Sequence, residues 1–133
     1  MNEVITKFGP ALGRILVAAI FLISGIGKVT GFQGTAGYMA SKGLPMVEVL
    51  LVITIIIELG GAAMLILGWK ARLAAAALFL WMIPVTLLFH NYWAMPADQQ
   101  MINQIMFLKN VAMMGAMLYV MAFGSGSYSL EKK

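Results

Sequence analysis

The chain has no cysteine, one histidine and only five acidic residues among 133. Without cysteine it cannot build a disulfide, an iron–sulfur cluster or a thiolate zinc site from its own side chains. With His90 alone it cannot supply both axial ligands of a bis-histidine haem. This absence says nothing about compartment. Charge is scarce too: 11% of residues are charged, where a soluble domain carries about 25%. The net charge of +4 is not clustered beyond Lys132 and Lys133, which excludes a nucleic-acid-binding surface. In their place stand apolar residues, 62% of the chain, with a mean hydropathy of +0.91.

The apolar residues fall in long uncharged runs at 15–27, 49–57 continuing past Glu58 to 69, 73–89 and 111–124. Crossing the hydrocarbon takes roughly 17–25 helical residues. The chain therefore reads as all-α, an integral membrane four-helix bundle forming a single domain over 1–133. Its spans are expected at about 11–27, 46–68, 73–89 and 105–124. The first run leads into more membrane segments, not past a small-residue cleavage site into a soluble domain, and so reads as a span, not a leader. After the glycine-punctuated "GIGKVTGFQGTAG", residues 34–42 predict a short amphipathic helical segment at the interface between helices one and two. Pro45 suits the first position of the second span, and Pro84 is expected to kink the third. "HNYWAMPADQQMINQ" is polar enough to leave the membrane, with Tyr92 and Trp93 as interfacial anchors. Lys7, Arg14, Lys70, Arg72, Lys132 and Lys133 share one side, against Lys28, Lys42 and Lys109 on the other. That bias places both termini in the cytoplasm.

The polar residues within the spans carry the functional question. Glu58 lies near the middle of span two, where insertion of an acid costs roughly 2.5–3.5 kcal/mol before it finds a partner. It is expected to face the interior, protonated or paired, above Gly61 and Ala62, which let a neighbouring helix approach. Arg14, Ala18, Phe21, Gly25 and Lys28 share one stripe of span one, and Arg14 is the expected ion-pair partner of Glu58. Lys28, His90, Lys109 and Asn110 stand near the opposite ends of three spans, with Thr86 one turn before His90. They are candidates for a shared ligand-binding site with Glu58, turned inward with Lys109 included. The plainer account is also open: Lys28 and His90 can be ordinary interfacial residues, and Glu58 can serve only to lock spans together. The methionines read as adaptable packing, and nothing signals a metal site.

"LGRILVAAIFLISGIGKVTGF", "GYMASKGLP", "IIIELGGAAMLILGWKARLAA", "LLFHNYW" and "QMINQIMFLKN", in this order, resemble the DoxX family of small bacterial membrane proteins. The resemblance covers almost the whole chain and rests on Arg14, Lys28, Pro45, Glu58, Gly61, Gly68, Arg72, His90, Lys109 and Asn110. It implies a four-helix protein of the bacterial inner membrane. It also implies a distant link to archaeal quinol oxidation and thiosulfate:quinone oxidoreduction. A bound quinone and a membrane or soluble oxidoreductase partner are the expectations that follow, with no intrinsic redox cofactor. Two alternatives stand beside them: a non-catalytic scaffold or assembly subunit, and a small-molecule or proton carrier using Glu58. A carrier this narrow would need to form a homo-oligomer.

Overall fold

The computed structural model describes residues 2–130; Lys132 and Lys133 of the charge count lie outside them. Helix α1 spans Glu3–Thr30. Its start is set by Asn2, whose Oδ1 accepts from the backbone N–H of Val4 at 3.1 Å and of Ile5 at 3.3 Å. Glu3 sits in the first turn, where the helix dipole favours an anion. The helix thus begins eight residues before the expected first span and carries Pro10 inside it. Helix α2 (Phe32–Ser41) fills the place of the expected amphipathic segment and buries Ala36 and Met39 against Leu51. Pro45, expected at the first helical position, lies two residues before helix α3 (Val47–Leu67), and Met46, at φ +50°, occupies the cap position. Gly68, at φ +69°, closes α3 in the left-handed conformation that a glycine adopts without a steric penalty.

Helix α4 (Ala71–Phe89) runs through Pro84, and a short 3-10 turn (Tyr92–Ala94) leads to α5 (Ala97–Phe123). Residues 97–104, ahead of the expected fourth span, are helical. Pro96 precedes the first turn and Asp98 lies within it, so the local signals start a helix there. Tyr92, Trp93 and Phe107 form an edge-to-face aromatic cluster that ties the turn to α5.

α1 packs on α3, α3 on α4, and α4 on α5, while α2 lies across α3. The common core is made by Ala18, Phe21, Ala62, Leu65, Ala74, Ala75, Leu78, Met82 and Met117. Close approach depends on missing side chains. A Cβ on Gly61 would stand 2.9 Å from Leu78 Cγ, and one on Gly25 2.6 Å from Leu59 Cδ2. Arg14, Ala18, Phe21 and Gly25 form the buried face of α1, as their spacing predicts. Of α5 only Asn110 and Met117 are fully buried, and α1 and α5 are not a packed pair. Both helices reach the common core, but they stand further apart than the other neighbours, along a seam. All four long helices are apolar enough to cross a membrane, and the leucines and isoleucines exposed along them suit acyl chains.

Candidate functional site

The expected pairing of Arg14 with Glu58 does not form. Glu58 pairs with Lys28, Nζ to Oε1 at 3.0 Å. Ser24 Oγ lies 3.3 Å from each carboxylate oxygen and accepts from Lys28 Nζ at 2.6 Å. The cause is the antiparallel register of α1 and α3, pinned by Gly25 against Leu59. It sets the end of α1 beside Glu58 and Arg14 beside the last turn of α3, seven or eight residues and so about 10–12 Å further along α3.

Arg14 is 3% exposed and answers a different need. Its Nη1 donates to the Leu65 carbonyl at 2.8 Å and the Ile66 carbonyl at 3.4 Å. Nη2 donates to the carbonyls of Ser127 at 3.2 Å and Tyr128 at 2.9 Å. The last carbonyls of a helix have no intrahelical donor and carry partial negative charge, so a guanidinium satisfies both needs at once. Residues 124–130 fold back as a strap across this end. Leu130 N–H donates to the Leu67 carbonyl at 3.0 Å, Ser125 Oγ to Gly68 O at 3.2 Å, and Tyr128 stacks on Phe8 at 5.3 Å. Both ends of the described chain therefore meet at one end of the bundle, sealed by Arg14.

At the opposite end a cavity of about 180 Å³ opens between α1, α3, α4 and α5. Its lining includes Ser24, Lys28, Glu58, Trp81, His90, Lys109 and Asn110, with Phe21, Leu78, Met82, Val85 and Met113 as apolar walls. All five residues singled out as ligand-binding candidates thus border one space. They do not point into it alike. Asn110 is buried and donates through Nδ2 to Thr86 Oγ1 at 3.1 Å, tying α5 to α4. Lys109 does not join this interior network. Adjacent residues on a helix are turned about 100° apart, so with Asn110 inside, Lys109 is exposed at the rim. Its Nζ lies 3.4 Å from Met106 Sδ, a weak acceptor. His90 Nδ1 is 3.1 Å from Asn103 Oδ1 at the mouth. A second cavity of about 210 Å³, beneath α2, shares Lys28, Glu58, Val85 and His90 with the first. The ion pair therefore stands between two spaces.

Three contributors were not among the candidates. Ser24, one turn before Lys28, could have been found by that spacing, and Asn103 lies ahead of the expected fourth span. Trp81 is the most informative. Its Nε1 is buried and has no hydrogen-bond partner among the described residues. Tryptophan belongs at membrane interfaces, where its N–H finds water or head groups. A tryptophan midway along an apolar span was itself the signal.

A bundle with four candidate spans, a sealed end and a donor-rich cavity at the other defines a small polytopic membrane protein with an intramembrane polar pocket. The chain belongs to the DoxX family, which residues 9–91 match. It is 36% identical over 122 residues to the Escherichia coli (strain K12) inner membrane protein YphA, covering 92% of this chain and 87% of that one. It is 32% identical over 124 residues to the E. coli (strain K12) inner membrane protein YqjF, covering 93% and 90%. No solved structure matches the chain.

Proposed function

We propose that the cavity receives the head group of a membrane quinone, and that the chain serves a quinone-linked oxidoreductase system as the component that holds it. The reading rests on one observation: the space is lined by more donors than acceptors. The carboxylate of Glu58 is already engaged by Lys28 and Ser24, whereas among the described residues Trp81 Nε1 has no partner and Lys109 Nζ has only a thioether. A ligand that satisfies them must accept hydrogen bonds through an apolar body, as a quinone ring does with its two carbonyls. At about 180 Å³ the cavity suits a single ring, below the roughly 300–1,000 Å³ of sites that enclose whole ligands. On this reading the electrons come from a partner or a second substrate.

By the positive-inside bias the strapped end faces the cytoplasm and the cavity faces the other side of the inner membrane. A scaffold role is favoured by a specific observation too, the fastening of α1 to α3 by Lys28 and Glu58 and by Arg14. The carrier reading is disfavoured by the packed layer of Phe21, Leu65, Leu78 and Met117 between the cavity and Arg14.

Protein in lipid nanodiscs titrated with a short-chain ubiquinone tests the proposal, read by quenching of tryptophan fluorescence and by mass spectrometry of the bound fraction. Saturable binding weakened about tenfold in Trp81→Phe, the worth of one hydrogen bond in a water-poor site, supports it. Equal binding by the variant, or none by the native protein, favours the scaffold.

A further inference from the structure

We infer that the seam between α1 and α5 is the exit path of the bound ligand's hydrocarbon tail, so that the ligand is a long-chain amphiphile. The inference rests on the head-group reading above and extends it to the part of the ligand that the cavity cannot hold. Three sides of the bundle are closed by closely packed helix pairs, whereas on the fourth α1 and α5 stand further apart. On that open side, nearer the sealed end, runs a groove of about 330 Å³ lined by Pro10, Gly13, Ala116, Tyr119, Val120 and Phe123. Arg14 also borders it, but its guanidinium is turned to the carbonyls of Leu65 and Tyr128, which leaves the groove apolar.

Groove and cavity share one line. Met113 lines the cavity and Ala116 the groove, less than one turn apart on α5; Ile20 and Gly13 do so on α1, about two turns apart. A head group seated against Trp81 therefore has its tail directed along this seam towards the sealed end. Gly13 contributes to the room. A Cβ there would meet nothing within 4 Å, so the helix carries a glycine where no close packing requires one. Glycine inside a helix is about 1 kcal/mol less favourable than alanine, and here its effect is an unfilled groove.

Inside a bilayer a tail gains packing, not dehydration, on entering such a groove, because lipid chains are as apolar as leucine. Position is therefore the decisive readout. Nanodisc-embedded protein is given a long-chain quinone with a diazirine at the far end of its tail and irradiated, and the labelled peptides are mapped. A diazirine-bearing phosphatidylcholine marks general lipid contact. The expected result is quinone labelling concentrated on residues 10–17 and 113–123 above the phospholipid pattern, and displaced by excess short-chain ubiquinone. Gly13→Trp, which fills the groove, should cut this labelling about tenfold, equal to roughly 1.4 kcal/mol. Gly13→Leu should do so in part, and Leu12→Trp, on the lipid-facing neighbour, should leave the pattern unchanged.

The inference is overturned by labelling that follows the phospholipid pattern, that concentrates beneath α2, or that ignores Gly13→Trp. It is also overturned if the groove proves to be covered by a second copy, seen as label linking two chains. If short-chain ubiquinone binds while the tail labels elsewhere, only the exit path fails. If short-chain ubiquinone neither binds nor displaces the label, the head-group reading fails with it.

Discussion

Replacing Lys28 and Glu58 singly and together tests the central interaction of the site. The pair is 3.0 Å apart and its side chains are 26% and 12% exposed. Lys28→Met leaves a carboxylate well inside the bundle with only the Ser24 hydroxyl beside it. Removing one partner of a buried pair costs about 3–5 kcal/mol, and the partial exposure places this case near 3 kcal/mol. Glu58→Met is milder. Lys28 lies in the last turn of α1 and can extend its stem to the interface, keeping its bond to Ser24, so about 1–2 kcal/mol is expected. The double variant strands neither charge and should fall within about 1 kcal/mol of the native chain, because an apolar pair can replace an ion pair at little cost. Unfolding of the purified protein in mixed micelles by increasing sodium dodecyl sulfate, followed by tryptophan fluorescence, measures all four. Losses that simply add in the double variant, or a Glu58→Met more damaging than Lys28→Met, would refute the assignment of this pair as the link between α1 and α3.

Arg14→Lys should release residues 124–130, since one ammonium cannot reach the carbonyls of Leu65, Ser127 and Tyr128 together. Faster cleavage of this segment by added protease and a loss of about 2–3 kcal/mol are expected. Gly68→Ala should destabilise by about 1–3 kcal/mol, because its φ of +69° disfavours a side chain and the new Cβ would press on Ser129 and on Arg14 Nη1 at 2.6 Å; no change in the same unfolding assay would count against the strap. Asn110→Leu removes the bond to Thr86 and should cost about 0.6–1.7 kcal/mol, the range of interhelical hydrogen bonds in membranes. Thr86→Val made on that background should add almost nothing.

Helix type and membrane placement were legible because bilayer chemistry is unforgiving: four apolar runs of spanning length leave few other arrangements. The buried stripe of α1 was equally legible, since helical periodicity within one segment depends on nothing outside it. Helix α5 begins eight residues ahead of the expected fourth span because Pro96 and Asp98 are start signals that lie outside the apolar run. The strap was hidden for a related reason. Residues 124–130 are short, polar and glycine-bearing, and their structure comes from acceptors offered to Arg14 and from positive φ at Gly124 and Gly126.

Choosing a partner for Glu58 needed something that no single helix encodes, the axial offset between α1 and α3. Arg14 and Lys28 lie on the same face of α1, so angular reasoning could not separate them; only the register does, and Gly25 against Leu59 sets it. Once it is fixed, the two cations divide their work by the acceptors they meet. Arg14 meets helix-end and tail carbonyls, which accept but cannot ionise, and its five-donor fork seals an end. Lys28 meets a carboxylate beside open space, and its single ammonium leaves the surrounding donors unmatched. The difference in acceptors is why one end of the bundle is closed and the other keeps an open cavity. Exchanging the two side chains should therefore abolish both properties at once: a lysine is too short of donors for the strap, and an arginine beside Glu58 would fill the cavity.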